Sequence, residues 1–161
     1  MSSSKPGSSG IRRVPRGLSR YLASGVRSTH DVLAYLVARG AAPRDAARIV
    51  SAYASSGILD DRACARLCAG HWARRGYAAS AIRTKLAEKG LPQRLIDEAI
   101  RIEAGPENEE RRARALAAPR RGSSPRERTR LARRLTARGF DEALIERVLG
   151  EAVPSISDAE S

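Results

Sequence analysis

The chain has 161 residues, 30 basic and 18 acidic, with a net charge of +12 and a pI near 11.0. That excess favours a polyanion or an acidic protein surface as partner. The longest uncharged apolar run, 32–38, is far short of the roughly 20 residues that a membrane-spanning helix needs. Arginine supplies 27 of the 30 basic residues, so a bias toward Arg and Ala is the plain alternative source of the charge.

Residues 1–27 are rich in Ser, carry six basic residues and no acid, and read as a disordered basic arm. Their composition also resembles an organelle transit peptide. Without an apolar leader, and with two cysteines, the chain is expected in a reducing compartment, the cytoplasm. Ser28-Thr29-His30-Asp31 has the form of a capping box opening a helix with Val32, Leu36 and Val37 on its apolar stripe. Gly40 stops that helix, and Pro43 suits the first turn of the next, which carries Ile49, Val50 and Tyr53 as far as Gly57.

Asp60 and Asp61 stand at the start of a third helix, where a carboxylate caps free amides and meets the positive end of the helix dipole. Cys64, Leu67, Cys68 and His71 follow at i, i+3, i+4, i+7 as its predicted buried face, and Gly76 closes it. The next helix, 79–89, carries Ile82 and Leu86; after Gly90-Leu91-Pro92 another carries Leu95, Ile96, Ala99 and Ile100. Gly105-Pro106 breaks the chain ahead of a helix over 107–118. Ser124-Pro125 opens a helix with Leu131 and Leu135. Asp141 caps the last, with Leu144, Ile145, Val148 and Leu149 on its stripe. From Val153 the sequence is small, polar and acidic, and is expected to fray.

One pattern occurs three times. Val32, Ile82 and Leu131 stand eight residues before Gly40, Gly90 and Gly139; Leu36, Leu86 and Leu135 stand four before; Arg39, Lys89 and Arg138 stand immediately before. A repeat of this length means stacked helical units rather than one closed globule with a deep pocket. The expected architecture is all-α, with eight helices and no β-sheet, an elongated right-handed stack of tandem three-helix repeats. The repeats fall at 28–76, 77–119 and a shortened 120–152, followed by a tail over 153–161.

Gly57-Ile58-Leu59-Asp60-Asp61, Ala65, Arg74-Arg75-Gly76-Tyr77 and Ile82-Arg83-x-x-Leu86 form an ordered set, to which Ala-Arg-Gly-Phe at 137–140 adds the same cadence. This set resembles the RecX family over about residues 28–150. Cys64 stands where that family usually has Phe or Tyr, Asp45 and Ala46 replace an apolar pair, and Ser56 replaces an apolar residue. The resemblance implies a small helical regulator of the RecA recombinase in recombination, DNA repair and the SOS response. It implies binding in the groove of the recombinase–DNA filament, with inhibition of ATP hydrolysis, strand exchange and coprotease activity. It also implies architectural roles for Gly57, Leu59, Asp60, Asp61, Gly76, Gly90 and Gly139.

The residues themselves point to binding rather than catalysis. Asp60 and Asp61 lack a second acidic cluster with ligand-like spacing, so they read as caps, not as acid–base, nuclease or metal residues. Cys64, Cys68 and His71 lack a fourth ligand and the usual knuckle spacing, so no metal is expected. No phosphate-binding loop is present, and no cofactor is expected.

The candidate partner-binding residues fall in two sets. Arg74, Arg75, Arg83, Lys85 and Lys89 surround Tyr77, which packs or stacks; Arg130, Arg133, Arg134 and Arg138 recur at one-face helical spacing. The second set lies in 111–138, which holds eleven arginines against Glu127 alone. A solvated face is the plain reading of such a run, but solvated faces usually mix both signs. Six aromatics, mostly on core stripes, make base stacking a poor expectation. The chain is thus expected to be a monomeric, non-enzymatic binder of a recombinase filament, with DNA phosphate as a further contact. The alternative is a stand-alone DNA-binding protein of helix-turn-helix type.

Overall fold

The computed structural model describes residues 17–118 and 124–150. Nine helices are found among them, and no strand: α1 Leu18–Ala23, α2 Thr29–Ala38, α3 Pro43–Ser55, α4 Asp61–Arg74, α5 Ala79–Glu88, α6 Gln93–Glu103, α7 Pro106–Ala117, α8 Pro125–Ala137 and α9 Glu142–Gly150. Two compact units are distinguished, Met1–Asp61 and Arg62–Ser161.

Local signals account for the helix ends. Ser28 is fully buried, accepts from the Asp31 N–H at 3.0 Å and has its own N–H bonded to the Asp31 carboxylate at 3.0 Å, a complete capping box. Ser124 and Glu127 repeat it at α8, and Asp141 accepts from the Leu144 N–H at 2.8 Å to open α9. The repeated glycine ends each α2-like helix in one way. At Gly139 (φ +84) its N–H reaches Thr136 O, while the Phe140 N–H reaches back to Leu135 O. Positive φ is cheap only without a Cβ, and these two bonds satisfy carbonyls that the helix end would otherwise orphan.

Burial groups the helices into three cores. Leu18, Val32, Leu36, Ala46, Ile49 and Leu59 form the first; Cys64, Ala65, Ala69 and Ala73 of α4 join Ile82, Leu86, Leu91, Leu95, Ile96, Ala99 and Ile100 in the second; Ala113 and Ala117 of α7 join Leu135, Phe140, Leu144, Ile145 and Val148 in the third. Each fully buried Leu or Ile stabilises its core by about 1.5–3 kcal/mol.

The triplets are therefore α1–α3, α4–α6 and α7–α9, one helix out of phase with the expected 28–76, 77–119 and 120–152. In this grouping the last triplet has all three helices, because α7 packs forward onto α8 and α9 rather than back onto the second core.

Two further expectations change. Residues 17–27 are not part of a disordered arm. Leu18 is fully buried, and Tyr21 stacks on Tyr35 with ring centres 4.0 Å apart. The apolar spacing Leu18, Tyr21, Leu22 marks one helix face and is the signal for α1. In α4, Leu67 (58% exposed) and His71 point outward; Cys64 is buried as expected, and Ala65, Ala69 and Ala73 complete the buried face. Small side chains let α4 approach its neighbours closely, so residue size rather than apolarity marks that face. Residues 1–16, 119–123 and the tail expected to fray lie outside the described residues.

Candidate partner-binding surface

The joint between α4 and α5 organises the site. Gly76 ends α4 as Gly139 ends α8, with the Gly76 N–H on Ala73 O and the Tyr77 N–H on Trp72 O at 3.1 Å. This motif brings the residue after the glycine onto the residue five positions earlier. Trp72 and Tyr77 accordingly meet edge to face, ring centres 5.1 Å apart.

Three cations are arranged around this aromatic pair. Lys85 Nζ lies 4.4 Å from the Trp72 ring centre and 5.1 Å from that of Tyr77; Arg138 Cζ lies 4.5 Å from Tyr77, and Arg75 Cζ 5.8 Å from Trp72. Each such contact contributes about 0.5–1 kcal/mol at an exposed site. With cations over them, the rings hold charges in place rather than offer bare platforms to bases.

The third triplet grips the same joint. The Ala78 N–H donates to Arg138 O at 2.9 Å, the Arg138 guanidinium donates to Arg75 O, and Ser80 Oγ donates to Gly139 O at 2.5 Å. Glu109 of α7 accepts the Ala79 N–H at 2.8 Å, capping α5 from outside. Arg112 of α7 donates to Tyr77 O at 3.1 Å and to Ala104 O at 3.3 Å. Burial lowers the Arg112 pKa below the ordinary guanidinium value, and the nearby Glu109 charge opposes that shift. Its charge is committed to carbonyls inside the fold.

The predicted residues separate into groups. Arg75, Tyr77, Lys85 and Arg138 come together around Trp72, which sequence reasoning missed; its five-residue spacing from Tyr77 across Gly76 was the available signal. Arg83 stands apart, ion-paired with Asp97. That guanidinium holds the Asp97 carboxyl below its ordinary value, with Gln93 adding a hydrogen bond. Arg74 is exposed at the end of α4, and Lys89 is half-buried after α5.

Arg130, Arg133 and Arg134 are exposed on α8. With Leu116, Ala118, Glu127 and Leu131 they line a cleft of about 670 Å³ between α7 and α8. Their expected companion Arg138 has turned away to Tyr77, because α8 ends beneath it. Glu127, the one acid on α8, is engaged in the capping box.

Among the other candidates, Asp61 stands in the first turn of α4 and also reaches a second helix. Both carboxylate oxygens accept from Thr29, Oδ1 from its N–H at 2.8 Å and Oδ2 from its hydroxyl at 2.7 Å, capping α2. Leu59 is buried in the first core, while Gly57, Gly76, Gly90 and Gly139 all adopt positive φ after helices. Cys64 is buried, Cys68 half-buried and His71 exposed, and no group of three His, Cys, Asp or Glu that could hold a metal is found among the described residues.

Comparison with known proteins agrees with this architecture. The chain is 33% identical over 137 residues to the regulatory protein RecX of Chromohalobacter salexigens, covering 83% of this chain and 88% of that one. It belongs to the RecX family. The family's second three-helix domain matches residues 60–100, which fall on α4, α5 and most of α6, the triplet of the second core.

Two solved RecX structures share the fold. A crystal structure of regulatory protein RecX superposes with a TM-score of 0.66 at 22% identity, covering 83% of this chain and 70% of that one. RecX from Lactobacillus salivarius gives 0.65 at 16%, covering 84% and 92%. No helix among the described residues of this RecX-family chain is long and apolar enough to cross a membrane.

Proposed function

We propose that this chain is a non-enzymatic regulator that binds a RecA-type recombinase–DNA filament in its groove and lowers ATP hydrolysis, strand exchange and coprotease activity. Family membership supports the regulatory role. The observation that carries the binding mode is the sorting of the arginines. Arg112 is engaged within the fold and Arg83 is ion-paired with Asp97 at the surface, whereas Arg130, Arg133 and Arg134 line an open cleft. Separately, Arg75, Lys85 and Arg138 are pre-oriented on Trp72 and Tyr77.

A surface of this kind suits acidic protein side chains and DNA phosphates, which need point charges rather than base readout. Cations already held in place lose less freedom on binding than free side chains do. Bridging neighbouring filament subunits would oppose the movements that accompany nucleotide turnover. In this reading the protein acts in the cytoplasm as a monomer, without metal or cofactor.

The test is the DNA-dependent ATPase of the cognate recombinase. Increasing amounts of the purified chain should lower it progressively. An unchanged rate across a wide concentration range would remove the reading, and tight sequence-selective duplex binding without recombinase would favour the helix-turn-helix alternative.

A further inference from the structure

The α4–α5 joint gathers positive charge that is not paired with a carboxylate. Among the described residues Arg62, Arg66, Arg83, Arg114 and Arg147 each face an acidic side chain, whereas Arg75, Lys85 and Arg138 do not. Their charges lie against the rings of Trp72 and Tyr77 instead. A ring face holds a cation in place without cancelling its charge. We infer that this cluster is a binding site for closely spaced phosphate groups, and that a phosphate seated there locks the third triplet onto the second.

Geometry favours phosphate over carboxylate. Arg75 Cζ and Lys85 Nζ lie 5.8 and 4.4 Å from the Trp72 ring centre, so they are at most about 10 Å apart. Lys85 Nζ and Arg138 Cζ lie 5.1 and 4.5 Å from the Tyr77 ring centre, which sets the same bound on that pair. The two rings meet at 80°, so cations over their faces approach from different directions. Successive phosphates offer acceptor oxygens in several directions, whereas a carboxylate offers two in one plane. Cations already cover the rings, so a base gains little there and the phosphates themselves are what is recognised. A free oligophosphate and a nucleic-acid backbone share that chemistry.

The lock follows from where the cations are anchored. Arg138 ends α8 in the third triplet, while Arg75 and Lys85 belong to the α4–α5 joint of the second. Like charges gathered at one place repel, and an anion among them attracts each. The contacts that already join the triplets lie at the same place, with the Ala78 N–H on Arg138 O at 2.9 Å and the Arg138 guanidinium on Arg75 O. A bound phosphate therefore holds these contacts closed. The site rests on the surface proposed above for the filament, but needs no recombinase to be filled.

The experiment titrates the full chain with inorganic tripolyphosphate, an oligothymidylate and an oligoglutamate peptide at constant ionic strength. Tripolyphosphate should change the emission of Trp72, the sole tryptophan, in a saturable way. It should also slow exchange of the Ala78 amide by at least about threefold. Arg75→Gln/Lys85→Gln should weaken binding about tenfold, as two exposed contacts acting together. Arg75→Gln alone, at an exposed side chain, should weaken it about threefold. Lys85→Arg should bind as the parent does, and Arg130→Gln/Arg133→Gln/Arg134→Gln should keep the Trp72 response. An oligothymidylate response that tripolyphosphate competes away identifies a nucleic-acid backbone as the source, and a response to tripolyphosphate alone identifies a free oligophosphate.

The site is overturned by a Trp72 emission that stays flat with both phosphate probes, by an undiminished response in the Arg75→Gln and double variants, or by an equal response to oligoglutamate. Saturable binding with unchanged Ala78 exchange would overturn the lock. No arm contains recombinase, so failure here and failure of the filament reading are distinguishable.

Discussion

The Arg138 guanidinium lies 4.5 Å from the centre of the Tyr77 ring, while its own carbonyl accepts the N–H of Ala78, the next residue. One residue thus anchors a candidate binding cation and ties the end of α8 to the start of α5. Charge and architecture are coupled here, so Arg138 differs from the other arginines of its helix. Changing it should disturb the joint as well as the surface.

The glycines of the repeat differ in what a side chain would cost. A Cβ on Gly139 would stand 2.7 Å from Ala81 Cβ and 2.9 Å from Ser80 Oγ, at φ +84; a Cβ on Gly40, at φ +87, would meet nothing within 4 Å. Gly40→Ala should therefore cost about 1–2 kcal/mol from backbone strain alone. Gly139→Ala should cost roughly 2–5 kcal/mol, since steric overlap adds to that strain. Urea melts followed by helicity will measure both, and equal losses would contradict the close packing at Gly139.

Asp61 holds the first turn of α2 through Thr29. Asp61→Ala should destabilise that turn by about 1–2 kcal/mol, the usual consequence of losing a helix cap. Faster hydrogen exchange at the Thr29 amide, with DNA left intact in magnesium, is the expected pairing. If exchange at Thr29 is unaltered, the cap contributes nothing.

Arg83 and Asp97 give a pH-dependent signature. The Asp97 pKa is depressed below 3.8 by the Arg83 guanidinium. A depressed carboxylate contributes stability that is present above its unfolded pKa and lost as pH falls through the lower folded value. The pair is therefore intact at neutral pH and breaks only in acid below that ordinary value. Titration of the Asp97 carboxyl by NMR should show the depression, and Arg83→Gln should return it toward normal. Because Asp97 already neutralises Arg83 at the surface, Arg83→Gln should leave affinity for an acidic partner within about twofold.

The exposed α8 arginines should behave oppositely. Replacing Arg130, Arg133 and Arg134 together with Gln should preserve helicity, weaken binding to the filament and flatten its salt dependence. Where each arginine neutralises one phosphate of single-stranded DNA, the log–log salt slope should fall by about 0.7 per residue. Adding Arg138→Gln should weaken binding further and also alter the fluorescence of Trp72, the sole tryptophan, through Tyr77. A salt slope identical to that of the parent protein would show the face to be merely solvated.

Much of the helical framework was legible from residues a few positions apart. Ser28 with Asp31, Pro43, Asp141 and the glycines at 40, 90 and 139 act within one turn, so their spacing carried their meaning. Helix α1 was obscured by the basic, Ser-rich residues before it, although Leu18, Tyr21 and Leu22 marked a face. The buried side of α4 was misread because Ala65, Ala69 and Ala73 pack by being small, while the larger Leu67 stays outside.

Sequence order alone supplied the family cadence, the all-helical class and the surplus of arginine. It could not say which neighbours each helix packs against, since a helix in a repeat can serve the triplet before it or after it. Tertiary packing resolved this by burying α4 with α5 and α6, and α7 with α8 and α9. The same packing sorted the cations, taking Arg112 inward to Tyr77 O, pairing Arg83 with Asp97, setting Arg138 over Tyr77 and leaving Arg130, Arg133 and Arg134 outside. Helix caps are interactions within a turn, whereas the surroundings of a charge depend on residues far away in the chain, and only the folded arrangement brings those together.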